Sequence, residues 1–361
     1  MRLLTALSLF LPLAVPLPGI AQDIDYSTRI ENAIEGYIRP AVDGFAEEAL
    51  DFPQAVASVC DHPSANSRAA FDAEFDRIID RFAEISFLRF GPLVEDNRLN
   101  RLAFLPDPRG VAQRQIRKLR SDSDLLSLTR EDLQQKSVAL QGITAMELIA
   151  YDTSANVTLG TDTPEGRADC AYAMAIAENI AEIGEELSDA WHDPKGYSAD
   201  LLDPGPDHPT FRTSAEVMET VFNALPVAIV ILKDQHVLPV TGGGPEKAKP
   251  AALPFSRSGH GITYLASSIA AIDDMIHAMD LVPLLSGPDK RLPGGISFET
   301  RNGLSVLDRI ETPVRTRFEE TGGYQDLSVF VFTLNSMQNI LAGQLAPALS
   351  LAGGFNALDG D

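Results

Sequence analysis

Positive charge is scarce in this chain. Lysine and arginine number 29 against 51 aspartates and glutamates, giving a formal net charge of −22 and a pI near 4.6 over 361 residues. Binding of nucleic acid needs clustered basic side chains, so no nucleic-acid partner is expected. Docking on anionic lipid is disfavoured on the same ground. An acidic surface attracts cations, but its plainest consequence is solubility in an extracytoplasmic space. Cysteine is nearly absent, with two residues. The six histidines, at positions 62, 192, 208, 236, 260 and 277, never fall at metal-binding spacing with one another, and read singly as surface or helix-end residues. The chain has no HExxH, CxxC or GxSxG motif, no phosphate-binding glycine loop and no EF-hand loop, which removes the common signatures of zinc peptidases, redox proteins, serine hydrolases and nucleotide or calcium binders. Period-two alternation is rare, and that excludes a sheet-based fold. Beyond the N-terminus no uninterrupted apolar stretch is long enough to span a bilayer. The best candidate, Ala224–Leu232, is short and contains Pro226, so no transmembrane segment is expected in the mature chain.

The N-terminus itself reads as a targeting segment. Arg2 supplies the positive start, Leu3–Leu11 the apolar run, and Gly19-Ile20-Ala21 places small residues at −3 and −1 of a cleavage site before Gln22. Residues 1–21 are therefore expected to be a signal peptide, and the mature protein to reside in the periplasm of a Gram-negative bacterium. Export gives the two cysteines a meaning. Cys60 and Cys170 are an even pair in an oxidising compartment, which predicts a disulfide. It would close a loop of about 110 residues, for which chain entropy sets an upper bound of roughly 4–5 kcal/mol.

Helical periodicity runs through the rest. Asp23–Ile38 carries apolar residues at helical steps before Pro40 interrupts. Ser64 is placed to cap a second helix whose apolar face is Phe71, Phe75, Ile78, Ile79, Phe82 and Ile85. Arg101–Gly110 (RLAFLPDPRG) is a loop held by two prolines, and Val111–Leu119 a short basic helix. Thr129-Arg130-Glu131-Asp132 resembles a capping box opening the helix that follows. Thr163-Pro164-Glu165 combines a cap, an N1 proline and an acidic first turn at the head of another helix reaching Trp191. The Asp-, Pro- and Gly-rich stretch Tyr197–Pro209 is the best boundary. Beyond it, helical patterns cover Thr210–Val237, Arg257–Met279, Gly303–Thr321 and Gln325–Ala348. The fold class is all-α, most economically two four-helix-bundle-like domains over residues 22–200 and 201–361.

The informative stretch is Ala139–Asp152, ALQGITAMELIAYD. Ala139, Leu140, Ile143, Met146 and Ala150 form one stripe at steps of about three and four. Ser137, Gln141, Thr144, Glu147 and Tyr151 form a second, uncharged-polar stripe that ends in a carboxylate. Such a helix lies between a core and something polar. Gly142-Ile143-Thr144-Ala145-Met146-Glu147 is similar to the GxHxxE motif of the imelysin family. Arg89-Phe90-Gly91-Pro92, the 101–110 loop, Leu253–Ser258 and the terminal Gly354–Asp361 resemble the branch of imelysin-like periplasmic proteins, so the resemblance spans the mature chain. It implies two all-α bundles, a pocket between them near the motif, a link to iron-regulated uptake, and a founding label of metallopeptidase.

One motif member differs: Thr144 stands where the resemblance places histidine. His and Glu three residues apart on a helix share a face and can both reach a cation, whereas a neutral threonine hydroxyl is a weak ligand for a transition metal. A peptidase-type zinc site is thereby disfavoured. Glu147 remains a candidate for a hard cation, iron or another divalent ion, or for a polar ligand. It has an equally good bland reading as a buried carboxylate paired with Arg89, Arg101, Arg109 or Arg257. Gly142 can serve close helix approach alone, Thr144 can bond back to its own helix, Asp107 and Arg109 can be parts of a rigid loop, and Ser258 can be a helix cap. The site residues to follow are Gly142, Thr144 and Glu147, with Asp107, Arg109, Arg257 and Ser258 facing them across a cleft. The function these imply is a non-catalytic binding or accessory component of metal acquisition, partnered by an envelope uptake component. The alternatives are a metal-dependent peptidase and an envelope scaffold.

Overall fold

The structure, a computed structural model, describes residues 24–121, 123–151, 157–310, 313–318 and 322–351. Residues 1–21, expected to be a signal peptide, Asp152 and Gly354–Asp361 lie outside the described residues. Most of those described are helical, with no strand among them.

The first long helix begins with α1 (Ser27–Ala33), widens into a π turn at Ile34–Ile38 and continues as α2 (Arg39–Asp61). The break expected at Pro40 does not occur. Proline removes one donor from the i→i−4 ladder, and the wider turn just before it re-registers the ladder so that the helix runs on. Ser64 caps α3 (Ala65–Ile85) by accepting from the Ser67 N–H at 3.1 Å. Three short helices, α4 (Arg98–Leu102), α5 (Val111–Leu119) and α6 (Arg130–Gln134), lead to α7 (Ile143–Ala150). The Thr129/Asp132 capping box forms, but it opens α6 only, because the chain turns again between Gln135 and Gly142. Thr163 caps α8 (Pro164–His192), accepting from the Gly166 N–H at 3.0 Å.

The bundle of the first half is α2, α3 and α8, with α7 against α8. Gly184 lets α8 approach α2 closely, since a Cβ there would lie 3.0 Å from Ala46 Cα. Phe52, Phe71, Phe75 and Tyr151 stack at its centre with ring centroids 5.3–6.2 Å apart; burying each such ring stabilises by roughly 1.5–3 kcal/mol. The predicted disulfide joins Cys60 at the end of α2 to Cys170 in α8, with Cα atoms 5.8 Å apart.

After α9 (Tyr197–Leu202) the second bundle is built from α10 (Ser214–Val230), which runs through a π segment (Ile231–Val237) into α11 (Leu238–Thr241), then α12 (Gly261–Met279), α13 (Leu292–Leu307), α14 (Val314–Arg317), and α15 (Gly323–Gln338) continuing to α16 (Ala346–Ala348). Here α13 starts eleven residues before the expected Gly303. Its LPGG opening reads as a turn in sequence, but proline in a first helical turn loses nothing. Ser214–Thr241 has the length expected for Thr210–Val237 but lies four residues further along, and it passes through Pro226. Its 28 residues are apolar and long enough to cross a membrane, yet 67% of its apolar window is buried in the fold, which accounts for its composition.

The two bundles share one continuous apolar core. Helix α3 packs on α12, and α1 reaches past its own bundle to α10 and α12. Arg29 pairs there with Asp280 at 2.6 Å.

Candidate functional site

Helix α7 is buried on nearly every side; seven of its eight residues are enclosed. The apolar stripe is therefore interior, and so are Gln141, Thr144 and Glu147 of the polar one, while Ser137 at its start is exposed. Its N-terminus is fixed by a hydrogen-bond network of neutral polar groups and one guanidinium. Tyr172 donates to the Leu140 carbonyl at 2.8 Å, Asn179 to the Gln141 carbonyl at 3.0 Å, and Arg101 bridges Gln141 Oε1 and Asn179 Oδ1, each at 3.1 Å. Gly142 lies under the end of α4, where a Cβ would fall 2.1 Å from the Leu102 carbonyl oxygen and 2.2 Å from that of Arg101. No side chain fits there. The glycine of the motif serves backbone approach and does not line the cleft.

Thr144 does not bond back to its own helix. Its Oγ1 accepts the Phe104 N–H at 3.2 Å and so ties α7 to the 103–110 loop. The loop's other anchor is Asp107, whose two carboxylate oxygens accept the Val111 and Ala112 N–H groups at 2.7 and 2.9 Å. Asp107 thus caps α5, an arrangement favoured by the positive end of the helix dipole.

Glu147 is 7% exposed and reaches the second bundle. One oxygen, Oε1, accepts three hydrogen bonds of 2.9 Å, from the Arg257 N–H, the Ser258 N–H and the Ser258 hydroxyl. The buried carboxylate is therefore held mainly by backbone amides and a hydroxyl, where an arginine ion pair was one expectation. Arg101 is engaged in the Gln141/Asn179 network and Arg109 is exposed. Phe255 makes the turn that presents these amides. Its φ of +53° is left-handed, a conformation that costs a non-glycine residue roughly 1 kcal/mol or more. Ser258 is not a helix cap, because α12 begins only at Gly261. Burial pushes the Glu147 carboxyl above the ordinary glutamate range, while the Ser258 hydrogen bonds and the Arg257 charge and amide oppose that shift. Among the described residues no hydrogen-bond donor reaches Oε2.

Glu147, Thr144 and Leu148 form one wall of a cleft of about 440 Å³ between the bundles, a size typical of small-molecule sites. Phe104, Leu105 and Asp107 form a second wall, Asp234 and Pro239 a third, and Phe255–Arg257 a fourth. Four residues singled out by sequence thus meet at the cleft, Asp107, Thr144, Glu147 and Arg257, with Ser258 behind Glu147. Gly142 and Arg109 do not line it. Asp234 and the apolar lining from Phe104, Leu148 and Phe255 carry no sequence signal of ligand contact, since apolar residues on helices and loops read as core. Among the described residues, no group of three or more His, Cys, Asp or Glu side chains comes together to hold a metal ion. With Oε1 of Glu147 already accepting three hydrogen bonds and Asp107 spent on α5, the residues present do not fit a resident divalent metal.

An all-helical protein whose bundles share a core and close around a carboxylate-anchored cleft is the class that fold and site define. The imelysin family model, which carries a peptidase M75 label, matches residues 36–341. The chain belongs to the imelysin family. It is similar to the crystal structure of an imelysin-like protein from Psychrobacter arcticum, with a TM-score of 0.76 and 17% identity over 92% of this chain and 99% of that one. It is also similar to a protein from Parabacteroides distasonis that carries the provisional name iron-regulated protein A precursor, with a TM-score of 0.68 and 13% identity over 88% and 94% of the two chains. At these identities the likeness speaks for the fold. No curated protein matches the chain.

Proposed function

We propose that this protein is an exported, non-catalytic binding or accessory component of periplasmic iron or metal acquisition, with the inter-bundle cleft as its ligand site. The observation that carries this reading is Glu147. It is a buried carboxylate with one oxygen fixed by three donors from the opposite bundle and the other left without a donor among the described residues, in the wall of a 440 Å³ cleft. Enclosing a carboxylate costs several kcal/mol, and a purely structural role would be served by an apolar residue. The tie to iron rests on the imelysin resemblance and on the name of the similar P. distasonis protein; the partner it implies is an envelope uptake component.

The peptidase label of the family is the competing reading. It requires a metal centre, and Thr144 occupies the position of the motif histidine. The test is hydrolysis of a peptide library by the protein purified without denaturation. No turnover is expected with or without added zinc. Hydrolysis that a chelator stops and zinc restores would overturn the binding reading. Expression should rise in iron-limited cells, and a transcript indifferent to iron would remove the acquisition role.

A further inference from the structure

From the chemistry of the cleft we infer that its ligand is an organic cation, an ammonium-type head on an apolar body, and not a bare metal ion. This rests on the reading of the cleft as the ligand site. Three carboxylate-bearing residues, Asp107, Glu147 and Asp234, line the cleft, against a single cationic residue, Arg257. Asp107 already accepts two backbone N–H groups. Asp234 is half-exposed, with Lys233 Nζ 3.7 Å away. That leaves the second oxygen of Glu147, a residue only 7% exposed, as the remaining acceptor in the cleft wall. A single carboxylate oxygen is a poor cage for a divalent ion, which takes six or more oxygens or several nitrogen and sulfur ligands. For an N–H donor bearing positive charge it is sufficient, because one short charge-assisted hydrogen bond in a water-poor site is strong. The remaining walls suit the rest of such a molecule. Phe104 offers an aromatic ring, which attracts cations, and Leu105, Pro106, Leu148 and Pro254 offer apolar contact.

Three probes with one body and different heads separate the possibilities: phenethylammonium, 2-phenylethanol and 3-phenylpropionate, titrated calorimetrically into the full mature chain at neutral pH. The ammonium is expected to bind saturably and at least about tenfold more tightly than the alcohol, and the carboxylate not to bind. Glu147→Gln should weaken the ammonium at least about tenfold. Asp234→Asn, at a half-exposed position that leaves the core untouched, should weaken it about two- to threefold, so the inference stays testable should Glu147→Gln fold poorly. Equal binding of alcohol or carboxylate that Leu148→Trp abolishes would overturn the head-group inference while leaving the cleft as a site. Ammonium binding unaffected by Leu148→Trp would place it outside the cleft and overturn both. No ammonium binding, or Mn²⁺ alone displacing the ammonium and losing its own affinity in Glu147→Gln, would also overturn the inference.

Discussion

Glu147 is the residue on which the proposed site turns, and its protonation gives a direct check. Its folded pKa is raised above its ordinary value near 4.5, so the folded state holds the proton more tightly than the unfolded one. The resulting stability is fully present below that ordinary value and is lost as pH rises through the folded one. Chemical denaturation across this window should show the wild type losing stability relative to Glu147→Gln as pH rises; parallel curves would contradict the burial described. His236 acts with the opposite sign. Enclosure and the Arg89 charge hold its pKa down at about 3, and its Nδ1 has no hydrogen-bond partner. As pH falls below 6.5 the unfolded chain takes up a proton that folded His236 refuses. His236→Leu should therefore spare roughly 3 kcal/mol of acid destabilisation by pH 4, measured as the difference between the two pH–stability curves. Gly142→Ala should cost about 3 kcal/mol or more, because its methyl would enter two carbonyl oxygens of α4. A near-neutral denaturation midpoint would refute that packing. At this scale the sequence was informative about which residues matter and less so about how. Glu147 stands out as a charge in an apolar helix, but its partners lie 110 and 111 positions away, and backbone amides leave no compositional trace. Thr144 and Asp107 look like ligands or loop residues in sequence because the donors they accept from are main-chain N–H groups of other segments.

At the scale of elements, local signals were reliable where they were chemical. Ser64, Thr129 and Thr163 cap the helices they precede, and α5 falls on Val111–Leu119 as its pattern requires. Proline misled at Pro40, where a π segment and first-turn placement carry the helix onward, and in the LPGG start of α13. The α7 region misled in another way. A continuous 14-residue stripe is interrupted at Gln141-Gly142 because the α4 carbonyls occupy the space a regular helix would need. The Cys60–Cys170 bond ties the end of α2 to α8 across their long contact. Replacing both cysteines by alanine should lower stability by roughly 2–4 kcal/mol, read as a denaturation midpoint, and should leave the cleft intact. Unchanged stability would mean that α2 and α8 are held by packing alone.

The whole molecule is two bundles with one core, and the long first helix belongs to both. The all-helical class was legible because helical periodicity and the scarcity of strand patterns survive any tertiary arrangement. The shared core was not, since apolar faces reveal that they are buried but not against what. The cleft exists only because α7 from one bundle and the 254–258 turn from the other meet at Glu147, and the acidic lining matches the acidity of the chain as a whole. The account's central claim is that this meeting point holds a small molecule. Native mass spectrometry of the protein purified gently from its native cells tests it most directly. The wild type should carry a small-molecule adduct at one per chain, absent from Glu147→Gln prepared in the same way. Identical bare spectra for the two proteins, or an adduct that survives loss of the carboxylate, would contradict it.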